Sequence, residues 1–405
     1  MRTELVKRAF KYRFHPTDEQ AAELIRTFGC VRKVYNLALD ARTTAWCQRQ
    51  ERVNYNATSA MLTGWKKTDE LSFLAEVSSV PLQQALRHLQ GAFSNFWDGW
   101  AKYPRFKSKR RTRRSAEYTR SGFRFRAGRL TLAKMTEPLD IVWSRPLPDG
   151  VEPSTVTVSQ DSAGRWFVSM LCEDVSVKPL PTVDTVVGID AGITALVTLS
   201  TGEKIANPRH ERKERERLAK AQRNLAKKDK GSRNRDKARV KVARVHARIA
   251  DRRRDGLHKL TTRLVRENQV VVIEDLTVSG MLKNRTLARA ISDAAWSELR
   301  SMLQYKAGWY GRTVITVDRW YPSTKTCSGC GYVKQSVPLS ERTFRCERCP
   351  LVLDRDVNAA RNIKAAGLAV LACGAGVRPQ RSHPGRPSAT KQELRRATAV
   401  GLAVP

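Results

Sequence analysis

The chain has 405 residues, 41% of them hydrophobic, which is enough for ordinary globular cores and excludes wholesale disorder. At the usual domain size this length predicts two to four compact units. Its 75 Lys and Arg against 39 Asp and Glu leave a net charge of +36, a field that calls for a polyanionic partner, nucleic acid before membrane. No window approaches 18 uninterrupted apolar residues and Met1–Arg13 has no apolar core, so neither a membrane span nor a signal peptide is expected. Cytoplasmic residence with reduced thiols is the expectation that follows.

Ala9–Phe14 alternates basic and aromatic residues as a strand does, and Pro16 stops it. Thr17 and Gln20 have the spacing of a capping box, and Leu24, Phe28, Val31, Tyr35 and Leu39 follow at helical steps. A second helix is predicted from Leu82 to Trp100. Lys102–Arg114 then carries eight Lys or Arg and no acid. With aromatics interleaved, Lys102, Tyr103, Arg105, Phe106, Lys107, Lys109, Arg110, Arg111, Arg113 and Arg114 are candidate phosphate and base contacts; a solvated loop is the plain alternative.

Alternation at Phe123 and Phe125, Val156 and Val158, and Trp166, Val168 and Met170 predicts a small β-rich unit, with a turn at Ser162–Gly164 and a linker at Val175–Val183. Val186–Ile189 reads as a buried strand ending at Asp190, and Leu196–Leu199 as its successor. Arg209–Asp255 holds 20 cations and 7 acids, with a turn at Lys227–Ser232, and predicts a basic helical hairpin that grips a nucleic-acid backbone; a charged coiled arm that serves solubility alone is the plain alternative. A further buried strand, Val270–Ile273, ends at Glu274; a helix over Ala288–Gly308 and a strand at Thr313–Val317 follow. From Gly374 the sequence turns rich in Gly, Pro, Ser and Arg, and disorder is expected there.

The six histidines (His15, His88, His210, His246, His258 and His383) never stand as His-x-His or His-x3-His. That spacing excludes zinc-protease helices, His-hydrophobe-His nickases and HNH-type sites, so a hydrolytic metal centre here has to be built from carboxylates. Cys327, Cys330, Cys346 and Cys349 form C-x2-C-x15-C-x2-C, the spacing of a four-cysteine zinc site. Four protein ligands leave no open position, so such a zinc is structural. The other cysteines, Cys30, Cys47, Cys172 and Cys373, read as small buried hydrophobes. Three acids stand out: Asp190 and Glu274 at the ends of buried strands, and Asp356 opening the segment after the cysteine ribbon. Acids in such places are expensive to bury unless paired or metal-bound, and carboxylates holding Mg²⁺ are one solution; a strand-end cap or turn residue is the commoner one.

Gly188-Ile189-Asp190-Ala191-Gly192, Ile273-Glu274-Asp275-Leu276 and Asp354-Arg355-Asp356-Val357-Asn358-Ala359-Ala360-Arg361-Asn362-Ile363 resemble, in this order, the three catalytic segments of the TnpB family of transposon-encoded RNA-guided nucleases, relatives of the type V CRISPR effectors. Tyr321–Gly331 is similar to that family's entry into its zinc ribbon, and Tyr35-Asn36 and Tyr103-Pro104-Arg105-Phe106-Lys107 match in kind. The resemblance spans about residues 5–372. It implies a multidomain α/β protein: a RuvC-like, RNase H-type nuclease domain with an inserted zinc ribbon, preceded by a small β-barrel-like unit with an inserted helical bundle.

The boundaries it implies are a wedge-like N-terminal unit at 1–184 with a helical insertion at about 17–120, a nuclease domain starting at 185–318, the ribbon at 319–352, a last nuclease helix at 353–373 and a disordered basic tail at 374–405. It further implies Asp190, Glu274 and Asp356 as catalytic Mg²⁺ ligands, a lesser role for Asp354, a guide RNA, and cleavage of double-stranded DNA beside a short flanking motif. A cleavage-dead RNA-guided repressor and a compact type V CRISPR effector are the alternatives; retention of all three acids weighs against the first.

Overall fold

The computed structural model describes residues 6–110, 112–174, 177–338 and 340–373. Arg111 and the predicted tail from Gly374 lie outside the described residues, as do two residues of the predicted linker. The chain divides into two compact units, residues 1–176 and 177–405.

The first unit runs β1 (Val6–His15), α1 (Asp18–Arg49), α2 (Tyr55–Trp65), α3 (Ser79–Trp97), β2 (Arg114–Thr119), β3 (Phe123–Arg126), β4 (Arg129–Leu132), β5 (Asp140–Val142), β6 (Pro153–Gln160) and β7 (Trp166–Asp174). The capping box forms: Gln20 N–H donates to Thr17 Oγ1 and Thr17 N–H to Gln20 Oε1, both at 3.2 Å. Strands are ordered β2-β6-β7-β1-β5, all antiparallel, with β3 and β4 forming a separate hairpin. Among the described residues β2 and β5 do not pair with each other, so the expected barrel-like unit is an open row. Phe10, Tyr12 and Phe14 of β1 alternate inward onto Leu130 and Leu132 of the hairpin and onto Leu24 and Phe28 of α1. A second core joins α1, α2 and α3 around Val34, Leu39, Leu62, Leu86 and Leu89. The sequence pattern missed α2, a short helix with only Thr58 and Leu62 fully buried.

The second unit holds β8 (Val186–Ala191), β9 (Ala195–Leu199), β10 (Lys204–Ala206), α4 (His210–Ala226), α5 (Arg233–Glu267), β11 (Val270–Glu274), α6 (Val278–Met281), α7 (Ala288–Ala294), α8 (Trp296–Tyr310), β12 (Thr313–Val317), β13 (Thr343–Arg345), β14 (Val352–Asp354) and α9 (Arg355–Ala372). Its sheet is ordered β10-β9-β8-β11-β12: β8, β11 and β12 are parallel, while β9 pairs antiparallel with both β8 and β10. The single helix expected over Ala288–Gly308 is two, α7 and α8, because Ala295 adopts the left-handed region at φ 54° and turns the chain between them.

The parity of β8 and β11 sorts their side chains between two cores. Val187, Ile189, Val271 and Ile273 point to one face, where Leu257, Leu264, Leu299 and Leu303 of α5 and α8 cover them. Val270 and Val272 point to the other, against Ile363 and Ala366 of α9. Gly188 lies on that second face: a Cβ there would come within 2.2 Å of the Ala360 carbonyl and 2.6 Å of the Lys364 nitrogen. Gly367 makes the reciprocal approach, its notional Cβ falling 2.5 Å from both methyls of Val272. Helix α9 is thus seated against the strands at backbone distance. Gly188→Ala is therefore expected to destabilise the second unit by about 1–3 kcal/mol or more, since a helix backbone cannot yield as a side-chain tip would. Denaturant melts of the variant and parent check this.

Candidate active site

The seating of α9 decides where three carboxylates go. Ile189 pairs with Ile273 in the parallel register, so one step further along, Asp190, the penultimate residue of β8, and Glu274, the last of β11, stand at the same edge of neighbouring strands. Each lies two residues beyond a position that faces α9 (Gly188 and Val272), so both carboxylates project to the α9 side. Asp356 stands one helical turn before Ala360, the residue against Gly188, and so reaches the same edge. The sequence-predicted trio is brought together.

Its electrostatics record the crowding. Burial, then Glu274 and then Asp356 push the Asp190 carboxyl up to about 7, with Arg355 opposing. Burial also raises Glu274, although Ser323 Oγ donates to its Oε1 at 2.5 Å. Asp356 lies 3.9 Å from Lys204 Nζ and 3.6 Å from Arg355 Nε. The three do not close into a cage as tight as that of the cysteines below. Asp354 serves the helix instead: its Oδ1 caps α9 by accepting from the N–H groups of Asp356 and Val357, and its Oδ2 accepts from Lys204 Nζ at 2.7 Å. Asp275, next to Glu274, has the opposite parity and takes Arg300 and Arg319; burial would raise it, but the two guanidiniums outweigh burial and hold it below the usual carboxylate range.

Cys327, Cys330, Cys346 and Cys349 place their sulfurs within 4.8 Å of one another. The Cys327–Cys349 and Cys330–Cys346 Sγ separations are both 3.6 Å. That is far from a disulfide and close to the roughly 3.8 Å edge of a tetrahedron with ~2.3 Å metal–sulfur bonds. Gly329 N–H and Arg348 N–H each point at the first sulfur of their knuckle at 3.4 Å. The cluster is compatible with structural zinc. Of the other cysteines, Cys30 and Cys172 are buried as expected, but Cys47 and Cys373 are exposed, each near the C-terminus of a helix whose last turn leaves the core.

The basic surfaces are less uniform than their sequences imply. Lys102, Arg105, Phe106, Lys109 and Arg110 face solvent, whereas Lys107 turns inward, its Nζ 3.7 Å above the Tyr35 ring centroid and its backbone locked to the Asn36 side chain in both directions. Burial lowers the Lys107 pKa, so this cation packs the loop onto α1 and does not reach outward. Tyr103 is half-exposed, its hydroxyl 2.8 Å from Thr43 Oγ1. Arg113 and Arg114 lean on Ser159 and Gln160, and with Arg32 and His88 they line a cleft of about 170 Å³. In the hairpin of α4 and α5, Arg248 and Arg252 converge on the buried Glu214, while Arg253 and Arg254 pair with Asp293 and Glu298. Part of the hairpin's charge is therefore paired with acids of the same unit, although Arg248, Arg252 and Arg254 stay partly open to solvent.

Sequence reasoning missed Ser323, Asn358 and Asn362. Asn358 and Asn362, one turn apart and buried, grip the ribbon: both donate to the Thr326 carbonyl, Asn362 also to that of Ser323, and Asn358 Oδ1 accepts from Ser328 N–H. Two Asn residues at i and i+4 on an otherwise apolar helix face were the available signal.

A protein of Streptomyces pristinaespiralis named "Putative RNA-guided DNA endonuclease" is 69% identical over 396 residues, covering 97% of this chain and 98% of that one. The chain belongs to the TnpB/IS605 family. A second relative, InsQ of Escherichia coli K12, named likewise, is 35% identical over 93% of this chain and 97% of its own. The family model described as "Probable transposase" (OrfB of IS605) matches residues 160–285, and that of the Cas12f1-like TNB domain matches 296–363. A helix-turn-helix model matches residues 1–51, whose described part in this TnpB-family chain holds a strand, Val6–His15, followed by one 32-residue helix. A chain in a Cas12f1–sgRNA–target DNA complex shares the fold, with a TM-score of 0.55 at 14% identity over 86% of this chain and 83% of that one. Among the described residues no helix is long and apolar enough to cross a membrane.

Metal analysis is expected to find one zinc per chain, and Cys346→Ser to lower that content and destabilise the second unit, because a site of this kind contributes directly to folding. The Asp190 shift gives a second expectation. Raised from 3.8 to about 7, this acid binds its proton more tightly in the folded state, so its contribution to stability is full below about pH 4 and is lost as pH rises through 7. In magnesium-free buffer Asp190→Asn should therefore raise the melting temperature near pH 8 and change it little near pH 4.

Proposed function

We propose that this chain is an RNA-guided endonuclease that hydrolyses DNA phosphodiester bonds at the edge formed by Asp190, Glu274 and Asp356. The observation that carries the reading is the convergence of these acids on one side of the sheet, with Asp190 driven up to about 7 by burial and by its two neighbours. Uncompensated carboxylates at a strand edge are unfavourable unless a cation joins them, and hard oxygen donors fit Mg²⁺ as the sulfur cluster fits zinc. The names of the two full-length relatives support the same activity.

In this reading the second unit is a RuvC-like, RNase H-type nuclease domain at 185–318 and 353–373, interrupted by a zinc ribbon at 319–352. The first is a wedge unit, an open five-stranded antiparallel sheet with a helical insertion. Asp190, Glu274 and Asp356 hold Mg²⁺, which when bound supplies a water activated at neutral pH and charge stabilisation for the leaving oxygen. The chain's own residues do the rest. Glu274 is oriented by Ser323, and Asp356 is presented by a helix whose first turn Asp354 caps. Lys204 offsets the negative charge beside Asp356. The exposed cations of the α4–α5 hairpin and of the 102–114 loop bind backbone phosphates of guide RNA and of a double-stranded target bearing a short flanking motif, which makes cytoplasmic residence natural.

Asp190→Ala, Glu274→Ala and Asp356→Ala are each expected to reduce guided cleavage by more than about 100-fold while guide and target binding persist, because phosphate contacts lie elsewhere. Asp354→Ala should be milder than Asp356→Ala, losing a cap worth about 1 kcal/mol. Calcium should support cleavage poorly. Cleavage of a matched duplex beside a gel shift on the same substrate decides; full cutting by the Asp356 variant would remove that residue from the site, and equal loss of binding in all three would make the acids structural.

A further inference from the structure

A serine hydroxyl that donates to a carboxylate fixes which oxygen stays free. Ser323 is buried, and its Oγ lies 2.5 Å from Glu274 Oε1. Its backbone is held as firmly as its side chain: the Ser323 N–H donates to the Tyr321 carbonyl at 2.8 Å, and the Ser323 carbonyl accepts from Asn362 Nδ2 at 2.8 Å. The same Asn362 Nδ2 reaches the Thr326 carbonyl at 2.6 Å, where Asn358 Nδ2 joins it at 2.7 Å. Thr326 directly precedes Cys327, whose carbonyl accepts from Gly331 N–H to close the first knuckle. A continuous row of hydrogen bonds thus runs from the first cysteine knuckle, through two buried asparagines of α9, to one carboxylate oxygen at the sheet edge.

We infer that Ser323 is a positioning residue for Glu274, and that the first knuckle of the ribbon, keyed to α9 by Asn358 and Asn362, is what holds Ser323 in register. The inference rests on the reading of Glu274 as a metal ligand. With Oε1 held by the hydroxyl, Oε2 is the oxygen left to face Asp190, and the carboxylate cannot swing away when the metal leaves. Without the hydroxyl, Oε1 loses its donor inside a buried site and the carboxylate is free to turn. Partners of metal ligands at this remove typically change metal affinity or activity by about 10–100-fold. The ribbon, on this account, is a splint for the nuclease edge as well as a fold-stabilising module.

The test uses full-length protein and Mn²⁺ as the probe, with free Mn²⁺ counted by electron paramagnetic resonance and the binding of Glu274→Gln subtracted as background. Ser323→Ala is expected to weaken specific Mn²⁺ binding by about tenfold and to raise the Mg²⁺ concentration that half-saturates cleavage in proportion. Zinc content and nucleic-acid affinity should stay at parental values, and Ser323→Thr, which keeps the hydroxyl, should recover most of the Mn²⁺ affinity. Unchanged Mn²⁺ affinity in Ser323→Ala overturns the proposal. So does loss of zinc or of nucleic-acid binding alongside it, which would make Ser323 a folding residue. If Glu274→Gln itself keeps both metal binding and cleavage, the carboxylate reading fails, a result distinct from failure of the serine.

Discussion

Everything at the sheet edge depends on how closely α9 sits on β8. A side chain at position 188 would strike the helix backbone, so glycine there is what lets Ala360 and Lys364 come down onto the strand. From that contact the rest follows by geometry. One turn back along the helix is Asp356; two residues on along the strand is Asp190; one strand over, in register, is Glu274. The acids meet because a helix and a sheet are packed without a spacer layer, and Gly367 repeats the device against Val272. Ala359 and Ala360 complete the close-packed surface, both fully buried.

The edge is held together by polar contacts of unequal kind. Asp275 and Asp354 each stand within two residues of one of the trio, yet both are satisfied by cations or by helix N–H groups and sit below the ordinary carboxylate range. Asp190 and Glu274 are not so satisfied and sit above it. Neighbours in sequence thus divide into acids that hold the fold and acids left with charge to neutralise. Strand parity and helix capping make the division, and both are backbone properties.

Much of this could be read from residues alone. Apolar runs ending in Asp190 and Glu274 gave away the central strands, and the paired Cys-x-x-Cys spacing located the sulfur cluster. Thr17 with Gln20 located the start of α1, because each is a local pattern with one physical solution. What escaped was set by tertiary contact. Ala295 has no propensity for the left-handed conformation that breaks Ala288–Gly308 into two helices; the packing of Trp296 and Leu299 into the core imposes it. Lys107 looks like its basic neighbours until Tyr35 and Asn36, some seventy residues earlier, turn it inward. Ser323 carries no charge and no unusual spacing, and the two asparagines offer only their i, i+4 step on an apolar face, so it is their partners that reveal what they hold.

The order of segments along the chain has its own consequence. Asp190 and Glu274 belong to β8 and β11, whereas the third carboxylate and the cover for Val270, Val272 and Ile315 arrive with α9, after the ribbon has been laid down. Synthesis is vectorial, and earlier segments emerge and begin to fold first. A nascent or truncated chain that stops before α9 therefore displays two acids on a sheet whose second face is bare. The three-carboxylate edge is assembled last, and the step that completes it is the same one that buries the final hydrophobic surface. An incomplete polypeptide is in this way both chemically unfinished and marked, by exposed valine and isoleucine, for the cell's quality control.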